Sequence, residues 1–144
     1  MSYAQQSDLL NVGLPQAALV DLLTPQIAAQ LQAGSDFCDT FFAARWGRAN
    51  VPLATWDSSV TLANARVTVW YLMTTRGIQS GSPDWDIFRT GYTDAVEWLN
   101  KVQRQQAHPL VTLAGGGLAP QQPNLVSSSV VSIASGRQAP NRGW

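Results

Sequence analysis

Apolar residues recur at intervals near 3.6 along the first three quarters of the chain and lose that period after about position 107, which predicts a helical body followed by a segment of another kind. Residues 3–23 read as two short helices divided by Gly13-Leu14-Pro15, glycine closing one and proline opening the next. Thr24-Pro25 predicts the start of a long helix, the threonine capping free amides and the proline losing nothing in the first turn. That helix runs to about Trp46 through Ile27, Leu31, Cys38, Phe41 and Phe42, with Gly34 weakening its middle. Residues 47–56, which include Pro52, read as a loop folding Val51, Leu53 and Trp56 back onto the body.

Asp57 or Ser58 caps a second long helix that reaches about Arg76, where Gly77 stops it. From Val60 to Met73 it is apolar nearly all round, so it lies at the centre of a bundle or under a neighbouring subunit. After the turn Ser80-Gly81-Ser82-Pro83, a third long helix is predicted to about Gln106, with Asp84 and Asp86 near its positive end. Its stripe is Trp85, Phe88, Tyr92, Ala95, Val96, Leu99 and Val102.

From His108 the pattern changes. Leu110, Thr112 and Leu113 hint at a short strand, Gly115-Gly116-Gly117 reads as a hinge, and the prolines at 120 and 123 exclude regular pairing. Residues 126–133 are β-prone, suited to pair with residues 110–113 or to join a partner's sheet. The expected fold is all-α: a small bundle of three long helices plus short N-terminal helices over residues 1–107, and an extended C-terminal arm over residues 108–144 able to form a short β-hairpin. The arm has no core of its own and needs a host surface. Val126, Val130, Val131 and Ile133 are its strand-like contacts. Arg137, Arg142, Gly143 and Trp144 form its anchoring end, because an indole brings a large apolar area with one hydrogen-bonding edge.

With 144 residues and 45% hydrophobic content the chain can build one domain with a genuine core. Formal net charge is zero, so no overall basic balance exists to hold nucleic acid through its phosphates. The charges are polarised, however: residues 1–97 contain nine acids and five arginines, whereas residues 98–144 contain Lys101, Arg104, Arg137, Arg142 and no acid. In a head-to-tail ring that places a basic surface of one copy near an acidic surface of the next. Eight arginines to one lysine also suit oriented interface pairs. Asp36, Asp39, Arg45, Arg48 and Arg66 are the candidates for subunit-to-subunit contacts.

Catalytic constellations are not found in this sequence. His108 and Cys38 are each alone of their type and far apart, Asp36 and Asp39 lack further metal-type ligands, and the glycine run lacks the Lys-Ser or Lys-Thr of a phosphate loop. No enzyme activity, cofactor or metal is expected. A lone cysteine points to a reduced, cytosolic place of synthesis, and the absence of a basic start with an apolar run, or of any membrane-length apolar stretch, to a soluble, unprocessed chain.

The block Asp36-x-x-Asp39-x-Phe41-Phe42-x-x-Arg45-Trp46, followed by Val51-Pro52-Leu53, resembles the Mu-like head-tail adaptor family of tailed bacteriophages. Tyr3-Ala4, Asp8-Leu9-Leu10, Leu23-Thr24-Pro25, the segment Asp94-Ala95-Val96-Glu97-Trp98-Leu99 and the Arg142-Gly143-Trp144 finish are similar to further pieces of that family's pattern. The likeness covers about residues 3–113. The chain departs from the family in continuing from Lys101 to His108 where a glycine is usual, and in a more Gly- and Pro-rich arm. The resemblance implies a helical virion neck protein, made in the host cytoplasm, that forms a ring, commonly a dodecamer, between the portal protein and a stopper or tail protein. Such a ring extends and helps seal the channel through which double-stranded DNA passes. A stopper or tail-terminator role in the same neck, and a DNA-binding helical protein, are the alternatives.

Overall fold

Among the described residues, five α-helices follow one another where the periodicity predicts them: α1 (Gln6–Asn11), α2 (Gln16–Val20), α3 (Thr24–Trp46), α4 (Ser58–Thr75) and α5 (Pro83–Gln103), with one 3-10 turn at Arg48–Asn50. The computed structural model describes residues 1–20, 22–76 and 81–119. Gly77, expected to stop α4, and the arm beyond Ala119 lie outside those residues. Among the described residues the protein is mostly helical, and its only extended pairings are isolated bridges from Thr112 to Thr55 and to Leu118.

The helix ends follow local chemistry. Asp57 caps α4, its carboxylate accepting from the Ser59 and Val60 amides, and Ser82 caps α5 by accepting from the Trp85 amide. The threonine cap expected for α3 is not formed: Leu23 holds the extended cap position, Thr24 is already helical, and no side chain caps the first turn. Pro25 there has no N–H and so removes one of the amides that would need a partner. Helix α5 stops at Gln103, three residues earlier than expected. Gln105 takes a left-handed φ of 61°, its N–H donates to Val102 O, and that of Gln106 donates to Lys101 O. This is the wound-back helix end that glycine usually makes; here glutamine makes it.

Helix α4 is the centre of the bundle and packs against α1, α3 and α5. Its Val60, Ala63, Ala65, Val67, Val69, Leu72 and Met73 are distributed over three adjoining apolar clusters. That accounts for its lack of a polar face without a neighbouring subunit. Helix α5 is the two-faced one, burying Phe88, Ala95, Leu99 and Val102.

Where α3 meets α4 the core is polar. Ser35, Asn64 and Thr68 are fully buried. Asn64 Nδ2 donates to Ser35 Oγ at 2.7 Å, and the Thr68 hydroxyl donates to Asn64 Oδ1 at 3.1 Å. Gly34 sits against this pair: a Cβ there would lie 2.5 Å from both Asn64 Oδ1 and Thr68 Oγ1. Glycine costs helix propensity at this position, as expected, and in return lets the two helices approach.

The residues before α1 are built into the core. Tyr3 N donates to Ser35 Oγ at 2.9 Å, while the Tyr3 hydroxyl donates to Asp39 and accepts from the Leu53 amide at 2.9 Å. The ring meets Phe42 and Trp56 edge-on, and Trp56 Nε1 donates to Tyr3 O. The loop of residues 47–56 therefore packs onto the body as expected, around a tyrosine.

Gly34→Ala should lower unfolding free energy by about 1–3 kcal/mol through overpacking, whereas Gly117→Ala, with nothing within 4 Å of its Cβ position, should change it by no more than about 0.5 kcal/mol; urea unfolding measures both. Gln105→Gly should raise stability by about 1 kcal/mol by relieving the left-handed backbone.

Candidate functional site

The arm's first residues are fastened to the body. Leu110 N donates to Asp57 Oδ2 at 2.7 Å, so one carboxylate both caps α4 and holds the chain as it leaves α5. Thr112 N donates to Thr55 O, Thr112 O accepts from Ala54 N, and the two threonine hydroxyls meet at 2.7 Å. Leu113 N donates to Gly117 O, closing a tight turn in which Gly116 takes a φ of 81°. Ala119 N then donates to Val111 O, and both of these residues are buried in the cluster around Phe42 and Leu99. The glycine run expected as a hinge thus shapes a turn, and residues 109–119 belong to the packed body. The hairpin partner expected at residues 126–133, and the anchors Val126, Val130, Val131, Ile133, Arg137, Arg142, Gly143 and Trp144, lie outside the described residues.

Arg45 holds the other side of this root. From the last turn of α3 its Nη1 donates to Val102 O and Ala107 O, Nη2 lies 3.0 Å from His108 Nδ1, and the guanidinium sits 4.8 Å from the centre of the Trp46 ring. A guanidinium only donates, so His108 Nδ1 accepts. The cation also faces the carbonyl end of α5, where the helix dipole favours it.

The other charged candidates have separate settings. Asp39 is half-buried and receives the Tyr3 hydroxyl; burial raises its carboxyl above the ordinary carboxylate range, the Tyr3 bond working the other way. Asp36, one turn earlier, is exposed and accepts from Gln32 Nε2. Arg48 is exposed on the 3-10 turn. Arg66 crosses over Gly91 and pairs loosely with Asp94 at 3.9 Å. Asp39 and Arg45, both engaged within the chain, lie on α3; Arg66 lies apart on α4.

Arg66 lines a feature that the sequence did not single out, a groove of about 530 Å³ between α1, α4 and α5. Its walls carry Val12, Leu62 and Ile87, with Leu62 42% and Ile87 61% exposed, and its rim carries Asp86 and Asp94. A second depression of about 430 Å³ continues it along α4 toward Ser58, sharing Asn11, Val12 and Leu62. The signal available in sequence was Ile87, an apolar residue off the α5 stripe.

Cys38 is fully buried, and burial, reinforced by the Asp39 charge, pushes its thiol up to about 12. Among the described residues no three His, Cys, Asp or Glu side chains are placed to hold a metal ion, and no helix is long and apolar enough to cross a membrane. No protein family, no characterised protein and no solved structure matches the chain.

Burial opposes ionisation of Asp57, but bonds from the Ser59 hydroxyl and the Leu110, Val60 and Ser59 amides outweigh it and hold the carboxyl below its ordinary value. A depressed carboxyl contributes stability that is present above the unfolded value near 4 and lost as pH falls through the lower folded value. Asp57→Ala should therefore cost about 1–2 kcal/mol at pH 7, and the gap to wild type should narrow as pH falls below the unfolded carboxyl value near 4 in urea titrations. Arg45→Ala should speed hydrogen exchange at Leu110 and Thr112 by about tenfold or more, since it strips donors from two carbonyls at the root. Cys38 should react with a thiol reagent only as fast as the molecule opens.

Proposed function

We propose that this chain is a structural neck protein of a tailed bacteriophage, a head-tail adaptor that assembles with copies of itself into a ring between the portal and the stopper or tail protein. The observation that carries this is the fastened root of the arm: a body with its own core delivers, at Ala119, a basic segment without acids that contains Val126, Val130, Val131, Ile133 and Trp144. Such a segment is suited to dock on another protein and is poorly suited to fold alone. The resemblance of residues 3–113 to the adaptor pattern supports the same conclusion. Its motif residues Tyr3, Asp39, Phe42, Arg45 and Leu53 come together around one apolar cluster and the arm's root. Helical content supports an adaptor over the more strand-rich stopper and terminator proteins.

In this role the body is a spacer and the arm a tether to the portal. The protein does no bond chemistry; DNA passes the ring without being read, consistent with zero net charge and dispersed arginines. Asp36, Arg48 and Arg66 offer partner-facing charge around the ring, and Asp39 and Arg45 shape the surface beside them.

Removal of residues 137–144 should leave a folded body, by circular dichroism and urea unfolding, that no longer joins portal-containing heads. Normal joining by the truncated chain would reject this role. Retention on DNA at physiological salt with a steep salt slope would instead favour a DNA-binding protein.

A further inference from the structure

We propose that the groove between α1, α4 and α5 receives residues 137–144 of a second copy of this chain. The inference rests on the ring assembly proposed above and assigns a receiving surface to its free subunits. The groove joins two properties. Its walls offer Leu62 and Ile87, two of the large apolar side chains that the bundle leaves in water, and its rim offers carboxylates. Asp86 is exposed, and among the described residues the ion pair of Asp94 is the 3.9 Å contact with Arg66.

The segment beyond Ala119 has the complementary chemistry. From residue 98 onward the chain contains no acid, and its last eight residues place Arg137 and Arg142 beside Trp144. An indole laid on Leu62 and Ile87 would remove apolar area from both, while the guanidinium groups meet Asp86 and Asp94, which fixes direction along the groove. A groove of about 530 Å³ lies within the range that holds one large side chain and its neighbours. Twenty-five residues follow Ala119, and at roughly 3.3 Å each they span up to about 80 Å, ample to cross to a neighbour. Placed in the groove of its own body, the segment would link nothing. Placed on a second copy it gives head-to-tail contact, and the portal then competes for the same anchors.

The test uses the full chain with a photo-crosslinking phenylalanine in place of Thr90, an exposed residue on the groove wall. Copies grown in light and heavy nitrogen are mixed, irradiated without portal, and the crosslinked peptides identified by mass. Crosslinks from position 90 to residues 137–144 in mixed-isotope pairs are expected. Their yield should fall at least about tenfold in Arg137→Glu/Arg142→Glu, and recover when that chain is mixed with an Asp86→Lys partner carrying the crosslinker. Same-isotope pairs alone would place the segment on its own body and overturn the inference, as would crosslinks that never involve residues 137–144. Head joining by the truncated chain is read separately. Lost joining without mixed-isotope crosslinks rejects the groove and keeps the adaptor role, and normal joining with such crosslinks does the reverse.

Discussion

The fold depends on how closely α3 can approach α4 at Gly34. An amide, a serine and a threonine are buried there, and each would be costly in an apolar interior if left without a partner. They are satisfied by one another only because no Cβ occupies the place beside Asn64 Oδ1 and Thr68 Oγ1. Ser35 also receives the Tyr3 amide, so the same network fixes where the N-terminal residues enter. Tyr3 then holds Leu53 and Trp56 through its hydroxyl and carbonyl. Two residues on from Leu53, Thr55 pairs with Thr112 at the root of the arm. A continuous run of hydrogen bonds and packed rings thus connects the helix crossing to the point where the arm departs. Its position is therefore set by the core.

Helix α4 bears on what the exterior has to do. An apolar helix without a polar face can be covered by its own bundle or by a neighbour, and three clusters within this chain cover it. Its apolar character thus says nothing about copies of the chain. What does bear on them is the residue that escapes, Leu62, together with Ile87 from α5, because both stand over one groove where acidic side chains also gather. Scattered exposed apolar residues are ordinary; grouped in a concave place with charge at the edge they favour an occupant.

The helices were legible because their apolar spacing is strong and their boundaries carry proline, aspartate and serine in the places where free amides need them. Where the reading missed, the reason was local or long-range. Gln105 supplies a left-handed residue without the glycine that announces one, so α5 was expected to run on. Gly115-Gly116-Gly117 looks the same in sequence whether it frees a chain or turns it, and only the pairing of Thr112 with residues 57 positions away decides between them. In sequence Asp39 and Arg45 are charged residues on a helix, the usual mark of a solvated face. Their partners, Tyr3 and residues 102–108, are 36 positions before and 57–63 after, and periodicity has no information about such distances. The groove was less legible still, since the end of α1 that closes it is separated from α4 and α5 by α2, α3 and the loop that follows them.

A fastened root changes what a weak arm contact can accomplish. Fastening residues 109–119 shortens the stretch between the body and the end of the chain from 37 residues, counted from His108, to the 25 that follow Ala119. Shortening a tether raises the local concentration of its end, once the span is reached. In the head-to-tail contact proposed for free subunits each copy would give one arm and receive one, so modest contacts would act together before the portal competes for the same anchors. The strength needed from any single Trp144 or Arg142 contact is then small, which fits a segment that must also be able to let go. On this account, the hydrogen bonds of Asp57, Arg45 and Thr112 matter to assembly more than their modest contribution to stability suggests, because they set where the tether begins.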